Sequence, residues 1–310
     1  MTLRTFTEQN VRDMLPMPAA IECLRSAFSA YGKGEAQNQP RRRLALPTGA
    51  VLHSMAASYG GYFGTKIYST HPKHGAHFTF LLYDAGTAKP LAQFEANHLG
   101  QIRTGAASGL AVDLLAPNQP LTVAVIGSGF QARTQLKALR SVRSIASVRV
   151  WSRTADKRER FAREMDASVA LSVAEACRDA DIIVTATQSK DPVIPTDAVG
   201  EQALILAMGA NWANRREVPE EVVNRARLII DDIEQGRQEA GDFLLANVDW
   251  NQVEPLSRVP NGANKEAGES RRLTVFKSVG IALEDVAVAA YIFEQATLAQ
   301  PSADPSPARR

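Results

Sequence analysis

Cysteine is scarce in this sequence: Cys23 and Cys177 are the only two among 310 residues. They lie far apart and without the spacing of metal ligands, so no metal site is expected and the setting reads as reducing and cytoplasmic. Each is most simply a small core residue. Long apolar runs are missing as well. None approaches the roughly 20 residues that a membrane span needs, and the first segment, MTLRTFTEQNVRDML, has no signal-peptide core. The net charge is only +2, which leaves no footprint for nucleic acid or a membrane surface. No internal repeat is visible. Against these absences stand 45% hydrophobic and 22% charged residues, ordinary for a soluble globular chain, and a length that suggests two domains.

The stretch 121–139, LTVAVIGSGFQARTQLKAL, organises the rest. Leu121–Ile126 reads as a buried strand, Gly127-Ser128-Gly129 as a tight turn and Phe130–Leu139 as a helix. That order makes the diphosphate-binding opening of a dinucleotide fold. Gly127 allows the turn, Gly129 lets the backbone approach a pyrophosphate, and Ala132 takes the third small position. Gln131 belongs to the same helix opening, whose free N–H groups and partial positive charge favour an anion. Alternating strands and helices continue to about residue 232, with strands expected at 147–151, 181–187, 203–208 and 227–231. Their polar ends, Thr185-Ala186-Thr187 and Met208-Gly209, belong at the carboxyl edge of a parallel sheet, where ligands sit. Val279, just past the segment 272–276, is placed with them as a cofactor residue.

An acidic residue is also absent from the end of the second strand, which reads Ser152-Arg153-Thr154, followed by Lys157 and Arg158. A carboxylate there would bond the adenosine ribose of NAD and repel a 2′-phosphate. Arg153 can instead hold that phosphate by a charge-assisted, bidentate contact, with Ser152, Thr154 and Lys157 beside it. The expected cofactor is NADPH, with NADH possible.

Before this region the sequence predicts helices over 5–14 and 17–31, then an extended NQPRRRLALP. If residues 41–46 form a strand, Arg41 and Arg43 share a face and Arg42 points the other way. Such a pair suits a carboxylate clamp, or a basic edge that discourages aggregation. Strands are expected at 50–57 and 61–68, and Lys66 inside the second is expected to face solvent, as a lysine in a strand normally does. A hairpin of 78–83 with 90–95 and a helix over 99–115 follow. That helix is rich in small residues that admit another backbone or a flat ring, and Arg103 stands among them as an isolated charge. A linker at 116–120, a polar loop region at 245–272, a helix over 281–298 and a disordered tail at 300–310 complete the reading.

Six segments, NQPRRR, GTKIYS, QIRTGAASGLA, VIGSGFQA, AMGAN and VFKSVGIALED, occur in order between about residues 35 and 290, and with them the chain resembles the ornithine cyclodeaminase/mu-crystallin family. The resemblance implies an α/β fold: a Rossmann-type parallel-sheet domain (118–278) inserted in an α+β substrate-binding and dimerisation domain (1–117 plus 279–299). It implies that Lys66, Arg103 and Asn211 form the catalytic set, with Arg103 on the substrate carboxylate, Arg41 or Arg43 helping, and Lys66 facing the imine and carboxylate. It also places Asn211 where cyclodeaminases resemble one another in carrying an aspartate. Asn211 has no charge and cannot act as a base, which speaks against ornithine cyclisation and leaves imine reduction intact. The implied activity is NADPH-dependent reduction of a small cyclic ketimine acid, Δ1-pyrroline-2-carboxylate or Δ1-piperideine-2-carboxylate, to proline or pipecolate by a homodimer. An ornithine cyclodeaminase, a non-catalytic NADPH-binding protein similar to mu-crystallin and an amino-acid dehydrogenase using free ammonia are the alternatives.

Overall fold

The protein is described from a computed structural model over residues 3–260 and 272–299; the tail expected at 300–310 lies outside them. The N-terminal part runs β1 (Arg4–Phe6), α1 (Glu8–Met14), α2 (Met17–Gly32), β2 (Gln37–Ala45), β3 (Val51–Tyr59), β4 (Tyr62–His71), β5 (Gly75–Asp84), β6 (Pro90–Glu95) and α3 (Asn97–Leu115). Its six strands form one sheet in the order β1-β6-β5-β4-β3-β2, antiparallel except for β1 against β6. The helix expected from residue 5 therefore begins later. Residues 4–6 pair with 92–94 instead, and Thr7 caps α1 by accepting from the Asn10 N–H.

Alternation along the strands sets which face is covered. His53, Met55 and Ala57 of β3 and Lys66 and Tyr68 of β4 are buried, whereas Leu44, Leu52 and Ile67 on the opposite face are exposed. A register shift between Gln39 and Arg42 keeps Arg41 and Arg43 toward the buried side and Arg42 exposed.

The second part runs β7 (Leu121–Ile126), α4 (Phe130–Val142), β8 (Ile145–Trp151), α5 (Ala155–Glu164), β9 (Ser168–Val169), α6 (Val173–Cys177), β10 (Ile182–Thr185), β11 (Leu204–Ala207), α7 (Glu220–Arg225), β12 (Arg227–Ile230), α8 (Ile233–Glu239), α9 (Gly241–Leu244), β13 (Val253–Pro255) and β14 (Thr274–Lys277), then α10 (Ala282–Leu298). Its eight strands among the described residues are all parallel, in the order β13-β12-β14-β11-β10-β7-β8-β9. The order reverses at β7, so the crevice beyond the carboxyl ends of β7 and β10 is the natural ligand position. The stretch expected to be loop contains β13, which pairs with β12.

Helices α3 and α10 are buried nearly all round, as central helices must be. The small residues of α3 serve close approach: a Cβ on Gly105 would lie 2.9 Å from the Thr134 carbonyl oxygen on α4. Helix α10 returns from the second sheet to pack on β3, β4, α2 and α3. This return brings the two sheets' functional edges together.

Candidate active site

At the nucleotide end, Gly127 has φ +120°, and a Cβ there would lie 2.6 Å from the Ala186 carbonyl oxygen. Gly129 opens into free space, and no side chain caps the N-terminus of α4. The helix therefore presents unsatisfied N–H groups beside a residue with no side chain, as a diphosphate requires. Arg133 folds back on the Ser128 and Gly129 carbonyls at 2.7 and 3.1 Å and steadies the turn. Ala132 is buried and Gln131 half-buried. Ser128 Oγ donates to Ser152 Oγ at 2.8 Å, joining the ends of β7 and β8. Beyond Ser152, Arg153, Thr154 and Lys157 are exposed, while Arg158 donates to the Ser152 carbonyl at 2.9 Å. These residues fit a nicotinamide dinucleotide, and exposed Arg153 stands at the end of β8 where no acidic side chain is found.

The inner end of the crevice is fixed by Glu217, a residue that sequence reading missed. Its carboxylate accepts from the Thr187 N–H, the Thr187 hydroxyl and the Gly209 N–H, each at 2.7 Å, and so ties the segment after β10 to the one after β11. Burial, reinforced by Asp242, raises its pKa. Asp242 in turn caps the Glu217 and Val218 N–H groups and pairs with fully buried Lys277 at 2.7 Å. Thr185 and Met208 are buried, Ala186 is half-buried, and Met208 sulfur accepts from Ser108 Oγ.

Facing this edge is a cluster of cations from the first sheet and α3. Lys66, expected from its strand to face solvent, is 2% exposed. Its ammonium donates to Asp285 Oδ1 at 2.8 Å and sits 5.6 Å from the centre of the Phe78 ring. Arg103 donates to Glu284 Oε2 at 2.7 Å, and its Nε is 3.4 Å from the same Asp285 oxygen. The guanidinium lies against Gly280, which has φ +71°; a Cβ there would be 2.4 Å from Arg103 Nη1. Asp231 accepts from Ser278 Oγ, the Val279 N–H and the Gly280 N–H at 2.8–3.0 Å and holds this turn in shape.

Arg41 and Arg43 do share a face, but it is turned to an internal carboxylate. Both pair with buried Glu239. Arg41 also donates to the Val279 and Gly280 carbonyls at 3.0 and 2.8 Å and to Met55 sulfur, so each of its nitrogens is engaged. It braces the turn that carries Val279. Arg43 donates to the Asn211 carbonyl at 3.0 Å and lies 4.5 Å over the Trp212 ring. His53 stacks on Tyr68 with centroids 4.1 Å apart and meets Trp212 edge-on. Burial, then Arg43 and Arg41, push its imidazole down to about 4, so it is neutral at pH 7.

The electrostatics follow from this crowding. Burial lowers Lys66 to about 8 against the pull of Asp285. Burial also opposes the charge of Arg103, yet Asp285 and Glu284 outweigh it and hold the guanidinium above its ordinary value. Glu284, fully buried, is pushed up to about 8. The arrangement can hold a carboxylate on Arg103 and present a poised ammonium beside it.

Lys66, Arg103, Arg41 and Val279 are thus brought to one place, with Arg43 and Asn211 adjoining it. Glu284 and Asp285 lay within the segment VFKSVGIALED without being singled out. Asp231 gave no local signal beyond an acidic residue after an apolar strand, and Glu239 none beyond a charged helix position. Among the described residues no group of three or more His, Cys, Asp or Glu is placed to hold a metal ion.

Comparison with known proteins agrees with the geometry. The model of the ornithine cyclodeaminase/mu-crystallin family matches residues 4–300. The chain is 31% identical to the Δ1-pyrroline-2-carboxylate/Δ1-piperideine-2-carboxylate reductase of Azospirillum brasilense, over 91% of this chain and 92% of that protein. An archaeal alanine dehydrogenase dimer solved with bound NAD superposes with a TM-score of 0.89 at 30% identity, covering 96% and 97% of the two chains. The Δ1-pyrroline-2-carboxylate reductase of Thermococcus litoralis, solved with NADH and L-proline, gives 0.88 at 26% identity, covering 96% and 98%.

Proposed function

The chain belongs to the ornithine cyclodeaminase/mu-crystallin family, and from that premise we propose that it is an NADPH-dependent reductase of cyclic ketimine acids, forming proline or pipecolate. The coarser reading, an oxidoreductase of carbon–nitrogen bonds that uses a nicotinamide nucleotide, rests on relatives of that activity along the whole chain. The finer one rests on a single observation: Lys66 and Arg103 converge on Asp285 beside the turn that follows β14 of the nucleotide sheet.

Arg103 takes the substrate carboxylate, because a guanidinium binds it through two parallel N–H bonds that fix the ring's orientation. Lys66, cationic near neutral pH, holds the proton at the imine nitrogen and makes the adjoining carbon electrophilic. Arg41 and Glu239 position the 279–280 turn rather than touch substrate. The bound nicotinamide supplies the hydride. Holding two reactants in register accounts for roughly 7–11 kcal/mol of barrier reduction in favourable cases. The neutral amide of Asn211 offers no base for the elimination and ring closure of ornithine.

NADPH is favoured over NADH by Arg153 and by the absence of an acidic side chain at the end of β8. A homodimer is favoured by exposed Leu44, Leu52 and Ile67 on the outer face of the first sheet. No described helix is long and apolar enough to cross a membrane; a cytoplasmic setting rests on the scarcity of cysteine.

A panel of substrates tests the reading. Δ1-pyrroline-2-carboxylate and Δ1-piperideine-2-carboxylate are expected to consume NADPH. Ornithine with catalytic NAD, and pyruvate with ammonium, are expected to be poor or inert. Ammonia release from ornithine would favour a cyclodeaminase, brisk turnover of pyruvate with ammonium an alanine dehydrogenase, and cofactor binding without any turnover a binding protein.

A further inference from the structure

Arg103 is oversupplied with anions before any substrate arrives. Glu284 on α10 accepts its Nη1–H at 2.7 Å, Asp285 beside it lies 3.4 Å from its Nε, and Asp231 at the end of β12 sits behind the 278–280 turn on which the guanidinium rests. The other charged groups here are Lys66 on β4, already paired with Asp285, and Arg41 on β2, already paired with Glu239. Glu284 and Asp285 have side chains with no solvent exposure. Glu284 Oε1 and Asp285 Oδ2 are both buried, and no hydrogen-bond donor among the described residues reaches either. Buried carboxylate oxygens without donors are costly, and one remedy is a proton on the carboxyl itself.

A substrate carboxylate would add one more negative charge to this enclosed group. With Lys66, Arg103, Glu284 and Asp285 all ionised, these four cancel, Asp231 stands behind the turn as a further anion, and the newcomer would be uncompensated in a buried site. We propose that Glu284 carries a proton whenever Arg103 binds the substrate carboxylate, so that this glutamate acts as a positioning residue that exchanges the guanidinium between an internal partner and the substrate. The inference rests on the reading of Arg103 as the carboxylate-binding group. No covalent step is involved: below about pH 8 the Glu284 carboxyl already holds its proton, and above it one proton from solvent goes to the carboxyl as substrate docks and returns when product leaves. Burial, opposed by Arg103 and reinforced by Asp231 and Asp285, sets the carboxyl at about 8, so the exchange falls in a range that experiment can reach.

The sign is fixed by linkage. Below about pH 8 the carboxyl is protonated and Arg103 is available; above it Glu284 ionises and reclaims the guanidinium. KM for the cyclic imine should therefore be level on the acid side and rise about tenfold per pH unit on the alkaline side, the slope of one linked proton. Glu284→Gln, nearly the same shape and permanently neutral, should show a KM that no longer rises in this way. The limb of kcat that belongs to Lys66 should persist in both proteins, a split that merely structural damage would not produce. An unaltered alkaline rise of KM in E284Q overturns the proposal.

Infrared titration of the free protein decides the matter without any substrate. The wild type should show the carbonyl stretch of a buried carboxylic acid that disappears with an alkaline midpoint, and E284Q should lack that band. No such band, or the same band in E284Q, overturns the proposal. If no cyclic imine is reduced, the proposed function falls while the infrared result still decides the state of Glu284. Should E284Q fail to fold, Glu284→Met serves as the neutral replacement in the same titration.

Discussion

Lys66 and Asp285 are separated by 219 residues in the chain and by 2.8 Å in the structure, with neither side chain more than 3% exposed. One stands on a strand of the first sheet, the other on the helix that returns from the second. Arg103 reaches the same carboxylate oxygen from α3 at 3.4 Å. A single buried anion thus fixes the spacing of the two cations assigned to substrate.

Replacing Arg103 by lysine keeps a charge between Glu284 and Asp285 and removes the two-pronged contact. Loss of one charge-assisted hydrogen bond of about 3 kcal/mol lowers kcat/KM for the cyclic imine roughly a hundredfold. The dissociation constant for NADPH, followed by fluorescence titration, should stay within about twofold. Equal loss of both would make Arg103 a structural residue only. Alanine is the poorer choice, since it removes the partner of buried Glu284 and leaves Asp285 to Lys66 alone, at a cost of about 3–5 kcal/mol of stability.

Lys66→Met should lower kcat by about 10²–10⁴, the usual range for a positioned proton donor. In the wild type the ammonium, lowered to about 8, is lost as pH rises through that value. Log kcat should therefore be flat below it and fall with unit slope above it. Steady-state profiles of both proteins check this, and K66M should lack the alkaline limb.

Arg153→Ala should raise KM for NADPH by about ten- to a hundredfold, the worth of a hydrogen bond to a charged group. KM for NADH should change little. Parallel titrations with the two nucleotides separate these outcomes, and equal shifts would remove Arg153 from the choice of cofactor.

Gly280→Ala forces a side chain into a backbone at φ +71° and brings its Cβ to 2.4 Å from Arg103 Nη1. Backbone strain of about 1–3 kcal/mol is expected, with a lower melting temperature. KM for the imine should rise further than KM for NADPH, because the displaced group is the guanidinium.

Much of this fold was legible in the sequence because its signals are local. A run of apolar residues, a glycine turn and a small residue at Ala132 identify β7 and α4 without reference to anything distant. The partners of the cations were not legible. Glutamate is seldom buried, so Glu239 and Glu284 look like solvated helix positions until the chain brings Arg41 and Arg103 to them. Lys66 shows the same limit: a lysine inside a strand reads as facing solvent, and only the return of α10 covers the face it shares with Tyr68. The strand at 4–6 was missed because three residues carry no periodicity and their partner β6 lies far along the chain.

The most direct measurement is the fate of deuterium from NADPH deuterated at both nicotinamide C4 positions during turnover of Δ1-pyrroline-2-carboxylate. The expected product is proline carrying one deuterium at Cα, formed with stoichiometric loss of NADPH. Unlabelled proline, or both deuterium atoms kept on the cofactor while ornithine releases ammonia, would contradict the assignment of this site to imine reduction.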